Sequence, residues 1–245
     1  MVTEGQVLMS NVISIFDDRD PCEVPLYTVG QAAAYLGVAP STVRAWAVGA
    51  DYPVAHGRTG RFKELLSLPE GTPTRLTFNN LVEAYVLTTM RRVHGVPLRQ
   101  VRRALANVTK QMGDRRPLLS RDFETDGVRL YITEFSKLFE VSTGAGRQLA
   151  MREIAKGLHR IERDASGLGV VRFFPYAESV DEPCVVAIDP RRSFGRPTID
   201  GSGVAVDVVA DLVKAGETPA RVAREFGITK EAVNSAVLWQ RSLAA

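Results

Sequence analysis

The sequence predicts a mainly α protein with small β elements, an α+β chain of 245 residues. Three observations carry that prediction. Tyr27 to Trp46 reads YTVGQAAAYLGVAPSTVRAW, two short helical runs broken at Gly37 and restarted at Pro40. Thr218 to Val237 has the same outline about Gly227. Between these, short β-rich runs are bounded by Gly, Pro and Asp-Gly signals.

In the first unit, Ala33 and Leu36 fall on the inner face of the leading helix. Gly37 can take the left-handed backbone that ends it. Pro40 suits the first position of the next helix, where a missing N–H costs nothing. Val43 and Trp46 then pack inward, leaving Ser41, Thr42 and Arg44 outward. Ala39 stands where a Ser or Thr cap would be better. The second helix of such a unit is shaped to enter a DNA major groove, although ordinary helical core has the same outline.

His56-Gly57-Arg58-Thr59-Gly60-Arg61-Phe62-Lys63 reads as a tight basic turn between short strands, placed where a wing follows a recognition helix. Arg58, Arg61 and Lys63 could reach phosphates beside the groove. Arg75 to Leu81 is an extended lead into a helix with Leu81, Ala84, Tyr85, Leu87 and Thr88 as its apolar face. Arg91 and Arg92 near its end suit the helix dipole, and His94-Gly95 ends it. Leu98, Val101 and Leu105 give the next helix its spacing.

Charge is segregated along the chain. The whole is +3, yet residues 41–116 hold 13 Lys and Arg against 5 Asp and Glu, a net of +8. Residues 1–40 carry −4 and residues 117–245 carry −1. The basic block coincides with the recognition helix and wing, the footprint a phosphate backbone selects.

Residues 27–105 resemble the MerR-like winged helix-turn-helix. The likeness rests on Tyr27–Trp46, the basic wing, Arg75-Leu76-Thr77-Phe78, and the Arg91-Arg92-x-x-Gly95-x-x-Leu98-x-x-Val101 step, with Phe78 where Tyr is more usual. It implies that Ser41, Thr42 and Arg44 face bases and backbone, with Arg58 and Arg61 on the wing. The Cys clusters of metal-sensing relatives are missing. Cys22 and Cys184 lie far apart, and His56, His94 and His159 show no metal-ligand spacing.

The middle of the chain predicts a hairpin from Arg121–Thr125 and Val128–Thr133, turning at Asp126-Gly127. A long helix from about Arg147 to Ser166 follows, with Ala150, Ile154, Leu158, Ile161 and Ala165 on one stripe. Arg152, Lys156, Arg160 and Arg163 line its other side, and Gly167-Leu168-Gly169 stops it. That helix serves either a dimer contact or the cover of its own sheet. Val170–Phe174 and Cys184–Ile188 are strand candidates bounded by Pro175 and Pro190.

The tail predicts helices at Val206–Ala215, Thr218–Phe226 and Thr229–Leu243, with Thr218 and Thr229 as caps and Gly216 and Gly227 as stops. Their lead-in keeps Gly195, Arg196, Pro197, Ile199 and Gly201 of a Gly-Arg-Pro-x-Ile-x-Gly-x-Arg pattern, with Gly203 where Arg is usual. This segment resembles a small helical domain of antitoxins encoded beside PIN-like ribonuclease toxins, and the whole layout is similar to the longer VapB-type antitoxins. The division expected is a leader over 1–24, a DNA-binding domain over 25–116, a hairpin-and-helix middle over 117–187 and an antitoxin-associated domain over 188–245.

That resemblance implies a homodimer that binds double-stranded operator DNA and neutralises a PIN-like, VapC-class ribonuclease. It makes Arg191, Arg192 and Arg196 candidates for the toxin contact, since Arg pairs well with clustered carboxylates. A MerR-like regulator with a ligand-sensing middle region and no toxin is the alternative. Asp189, Asp200, Asp207 and Asp211 lack a His, a phosphate loop or a nucleophile–base pair, so neither catalysis, metal nor cofactor is expected. A cytoplasmic location is expected, because no apolar run approaches the ~20 residues of a membrane span and no basic residue precedes the Val7–Ile15 patch. On the DNA side, Arg44→Ala should weaken binding to the operator more than to random DNA, and Arg61→Ala should weaken both and flatten the salt dependence. Gel-shift titration of both variants over a salt series checks this, and unchanged affinities would remove the first unit from DNA binding.

Overall fold

Residues 25–112 run as β1 (Pro25–Thr28), α1 (Val29–Leu36), α2 (Pro40–Val48), β2 (Ala50–Val54), β3 (Arg58–Phe62), β4 (Arg75–Thr77), α3 (Phe78–His94) and α4 (Leu98–Met112). The computed structural model describes residues 19–54, 58–69, 74–94, 98–113, 116–120, 123, 128–129, 144–167 and 169–243. The helix pair forms as its spacing predicts. Gly37 closes α1 at φ 59°, ψ 43°, Pro40 opens α2, and Ala39 supplies no side-chain cap. Thr28 starts α1 with a capping box: its Oγ accepts from the Gln31 N–H at 3.1 Å, and Gln31 Oε1 accepts from the Thr28 N–H at 3.0 Å. The Thr-x-x-Gln spelling was readable in the sequence and marks this start.

Helix α3 departs from the expected single apolar face. Every residue from Leu81 to Met90 is buried. Strands β1 and β4, an antiparallel pair, lead into α1 and α3, and α1 itself packs on α3. The buried start of α3 is closed on itself. Asn80 N–H donates to Thr77 Oγ, the Thr77 N–H returns to Asn80 Oδ1, and Asn80 Nδ2 donates to Ser67 O and Glu83 Oε2.

Within the expected leader, the described residues just before β1 are anchored. Cys22 is buried, its thiol against Val170 O, and burial pushes its pKa up to about 12. The Glu23 carboxylate accepts from Asn79 Nδ2 and from both terminal nitrogens, Nη1 and Nη2, of Arg116. Residues 1–18 lie outside the described residues.

The middle region also differs. Val128 and Arg129 are helical, and Val128 is buried in the core. Asp126-Gly127 and most of that expected hairpin lie outside the described residues. The long helix, α5 (Gly144–Leu158), stops eight residues before Ser166. Ile161 leaves the helical stripe and enters β5 (Ile161–Arg163), which pairs antiparallel with β6 (Val170–Phe173). An Asp164 turn makes this possible. Asp164 N–H donates to Gly169 O, Gly167 N–H donates to Asp164 O, and the carboxylate accepts from Ser166. Gly167 and Gly169 therefore serve a hairpin instead of stopping a helix. Arg160 is buried, not surface-lining: it donates to the carbonyls of Phe174, Pro175, Val180 and Glu182. Arg163 reaches Leu119 O at 2.7 Å.

Of the α5 stripe, Ile154 and Leu158 are buried toward α3, and Tyr85 Oη donates to Gly157 O at 3.0 Å. The middle segment thus adds Ile154, Leu158, Ile161, Val170 and Phe173 to the core of the N-terminal unit.

The tail builds a second core. Strands β7 (Val186–Ala187) and β8 (Thr198–Ile199) pair, and α6 (Val206–Lys214), α7 (Pro219–Phe226) and α8 (Lys230–Ser242) close around Val206, Val209, Val222, Val233, Ala236 and Trp239. Thr218 and Thr229 cap α7 and α8, and Gly227 ends α7 in the left-handed region. Gly203 has open space around it at φ 70°, so a side chain there would be strained but not crowded.

The two cores meet at α1. Tyr35 packs against both, with its ring 6.3 Å from Tyr27 and 5.9 Å from Trp239. Tyr27 Oη donates to Gly195 O at 3.1 Å, and a Cβ at Gly195 would overlap that hydroxyl. Trp239→Ala should cost about 3 kcal/mol, the range for emptying a large aromatic site. Because Trp239 also joins the cores, chemical denaturation should change from one transition to two, read by far-UV circular dichroism and fluorescence.

Candidate nucleic-acid interface

A recognition helix is useful only if its axis is fixed, and α2 ends in carbonyls that its own hydrogen bonds cannot satisfy. Three elements take them. Trp46 O accepts from the N–H groups of Leu65 and Leu66 at 2.7 and 3.0 Å. Ala45 O accepts from Arg102 Nη2 of α4 at 2.7 Å, and Val48 O from Arg61 Nη2 of β3 at 3.1 Å. Two guanidinium groups at the C-terminus also complement the helix dipole. From α3, Arg91 donates to Thr42 Oγ at 3.2 Å.

The wing is an antiparallel pair in which Tyr52 faces Gly60 and Asp51 faces Arg61. Tyr52 stacks on Phe62, with centroids 4.1 Å apart and planes at 22°, and Arg102 lies over the Phe62 ring at 5.2 Å. Arg102 therefore ties α4, the wing and α2 together. Burial pushes its pKa down, with Glu64 acting against that shift.

The sequence-selected residues are placed as follows. Ser41 and Arg44 are exposed on α2. Thr42 is half-buried and accepts from Arg91. Arg58, Arg61 and Lys63 are all exposed, but strand alternation puts Arg58 with Gly60 and Phe62, opposite Arg61. Arg61 is paired with Asp51 at 3.2 Å, so part of its charge is met within the wing. Sequence reasoning missed Arg91 and Arg102 as positioning residues. Arg91 was legible only as a charge suited to its own helix end and as part of the family step, and Arg102 only as a member of the basic block; the Thr42 hydroxyl and the Ala45 carbonyl they serve belong to another helix.

The tail arginines occupy one loop. Arg191 is exposed, Arg192 pairs with Asp189 at 3.6 Å, and Arg196 pairs with Asp207. Asp200 pairs with Arg172. Three of the four tail aspartates are thus held apart, each by its own arginine. Among the described residues, no group of three or more His, Cys, Asp and Glu side chains could hold a metal ion, and no helix is long and apolar enough to cross a membrane.

Fold and site define a winged helix-turn-helix DNA-binding protein that carries a second, helical unit at its end. Residues 25–105 match a family described as "Putative DNA-binding HTH domain", and residues 186–239 match one described as "Protein of unknown function (DUF433)". The chain is 30% identical over 237 residues to "Putative antitoxin VapB45" of Mycobacterium tuberculosis, covering 88% of this chain and 93% of that protein. It is 24% identical over 225 residues to "Uncharacterized protein Rv2308" of the same species, covering 86% and 88%. The crystal structure of Rv2018 from M. tuberculosis is similar at a TM-score of 0.61 and 29% identity, covering 87% of this chain and 98% of that one. The chain belongs to the VapB-type antitoxin family.

Arg102→Ala should weaken operator binding about 10-fold by loosening α2 while changing the salt slope by much less than the one unit a lost phosphate contact gives. A slope reduced by a full unit in a salt-dependent titration would instead make Arg102 a phosphate contact.

Proposed function

We propose that this chain neutralises a PIN-like ribonuclease toxin of the VapC class and, as a homodimer, binds the operator of its own toxin–antitoxin pair. The observation that carries this reading is the coexistence, in one chain, of a braced recognition helix with Ser41 and Arg44 exposed and a separate helical core joined to it. The likeness to an antitoxin over nearly the full length of both chains supports the same division of labour. Ser41, Thr42 and Arg44 read the operator, and Arg58, Arg61 and Lys63 follow its backbone. Two such heads one DNA turn apart match a palindrome, which is what repression requires of a dimer. Arg191, Arg192 and Arg196 face the toxin. Arg196 acts through its pairing with Asp207, which fixes the loop that carries the other two.

The test is to read the adjacent reading frame, which should encode a PIN-like nuclease, and to co-express that nuclease with this chain. The pair should copurify, and the nuclease should lose its RNase activity in the complex and recover it when the antitoxin is removed. A nuclease that stays active and elutes alone would sink the toxin assignment and leave the DNA-binding head in place.

A further inference from the structure

The end of the recognition helix is held from the wall of a cavity. That cavity, about 570 Å3, lies between the segment after the wing, α3, α4 and the turn at Pro117–Leu119. Its volume is that of a small-molecule site. Leu65, Leu105 and Leu118 give it an apolar lining. Lys63, Arg102 and Lys110 bring positive charge to the same wall, and Glu64 and Glu83 bring negative. Formally three cations stand against two acids. One of these acids, Glu83, already accepts from Asn80 Nδ2 at 3.1 Å, so the wall favours an anion.

Arg102 has bonding capacity to spare. Its Nη2 donates to Ala45 O of α2, while its Nε–H is buried without a hydrogen-bond partner among the described residues. A buried donor left unpaired is costly, and an acceptor carried in by a ligand removes that cost. An acid fits best, because it can take a guanidinium through two parallel N–H bonds. On the edge that carries Nε the second nitrogen is Nη2, the one that braces α2. Leu65 adds a second link: its N–H donates to Trp46 O at 2.7 Å. The cavity wall therefore supplies two of the bonds that close the end of α2.

We propose that this cavity is an effector site for a small apolar molecule bearing one acidic group, and that its occupation loosens the recognition helix. The apolar body lies against the three leucines, and the acid takes Nε and Nη2 of Arg102, with Lys63 and Lys110 at the rim. Ala45 O then loses its donor, α2 loses its fixed axis, and operator affinity falls. By linkage, DNA weakens the ligand by the same factor. The proposal rests on the operator reading given above and is independent of the toxin.

The probe is anilinonaphthalene sulfonate, an aromatic anion whose fluorescence rises on burial; N-phenylnaphthylamine is its uncharged counterpart without the sulfonate. One sulfonate should bind per chain, about 10-fold or more tighter than the amine. Saturating sulfonate should weaken operator binding about 10-fold, the loss expected of Arg102→Ala. Ala106→Trp, at an exposed α4 position on the cavity wall, should abolish probe binding and leave Tm and operator affinity unchanged. Should that variant lower the Tm, Lys110→Glu decides: it should weaken the sulfonate about 5-fold and leave the amine unchanged. Equal affinity for the two probes, probe binding that survives Ala106→Trp, or no effect of Lys110→Glu would each overturn the site. Operator binding that ignores bound sulfonate would overturn the coupling, whereas a chain that binds no DNA at all fells the operator reading and this proposal together.

Discussion

Between Leu81 and Met90 helix α3 has no solvent side, and this constraint organises what surrounds it. A helix buried on every face needs neighbours on every face. The α1 helix and the β1–β4 pair, α5, and the Phe173 ring of strand β6 each take a side. Its polar start must then be satisfied internally, which the Thr77–Asn80 exchange and the bonds to Ser67 and Glu83 accomplish. The segment after the wing is thereby fixed to α3, and through Leu65 and Leu66 it also receives the end of the recognition helix.

From this follows a division within the basic block. A positive net charge reads as one electrostatic footprint, but the fold uses its members differently. Arg91 and Arg102 hold α2 from α3 and α4, and Arg61 is shared between Asp51 and the helix end. Arg44, Arg58 and Lys63 are exposed. Such bracing trades some phosphate-facing charge for rigidity. A recognition helix held in one orientation meets the groove without first paying an ordering cost.

The second constraint is the joint between the cores. Tyr35 belongs to both, and Tyr27 reaches across to Gly195, whose missing Cβ permits the approach. The loop that carries Arg191, Arg192 and Phe194 is therefore set by a residue of the DNA-binding head. Helix α1, which in a plain helix-turn-helix only supports the reader, here also seats the tail unit.

The sequence by itself determined the local elements whose signals are local. The two helix pairs were legible from Gly37, Pro40, Thr218, Gly227 and Thr229, because caps and left-handed stops act within a turn of the chain. The wing was legible from its basic residues and from the likeness to a known helix-turn-helix, but Arg58–Phe62, read as part of a turn, is itself a strand paired with β2. Tertiary structure alone decided the rest. Ile161 fits a helical stripe as well as a strand, and its pairing with Phe173 settled the matter. Val128 fits a strand by its sequence, yet it is helical and buried in the core. The inner role of Arg102 and the burial of Arg160 depend on carbonyls elsewhere along the chain. No periodicity records those partners, since a periodic pattern reports which face is buried and not what lies against it.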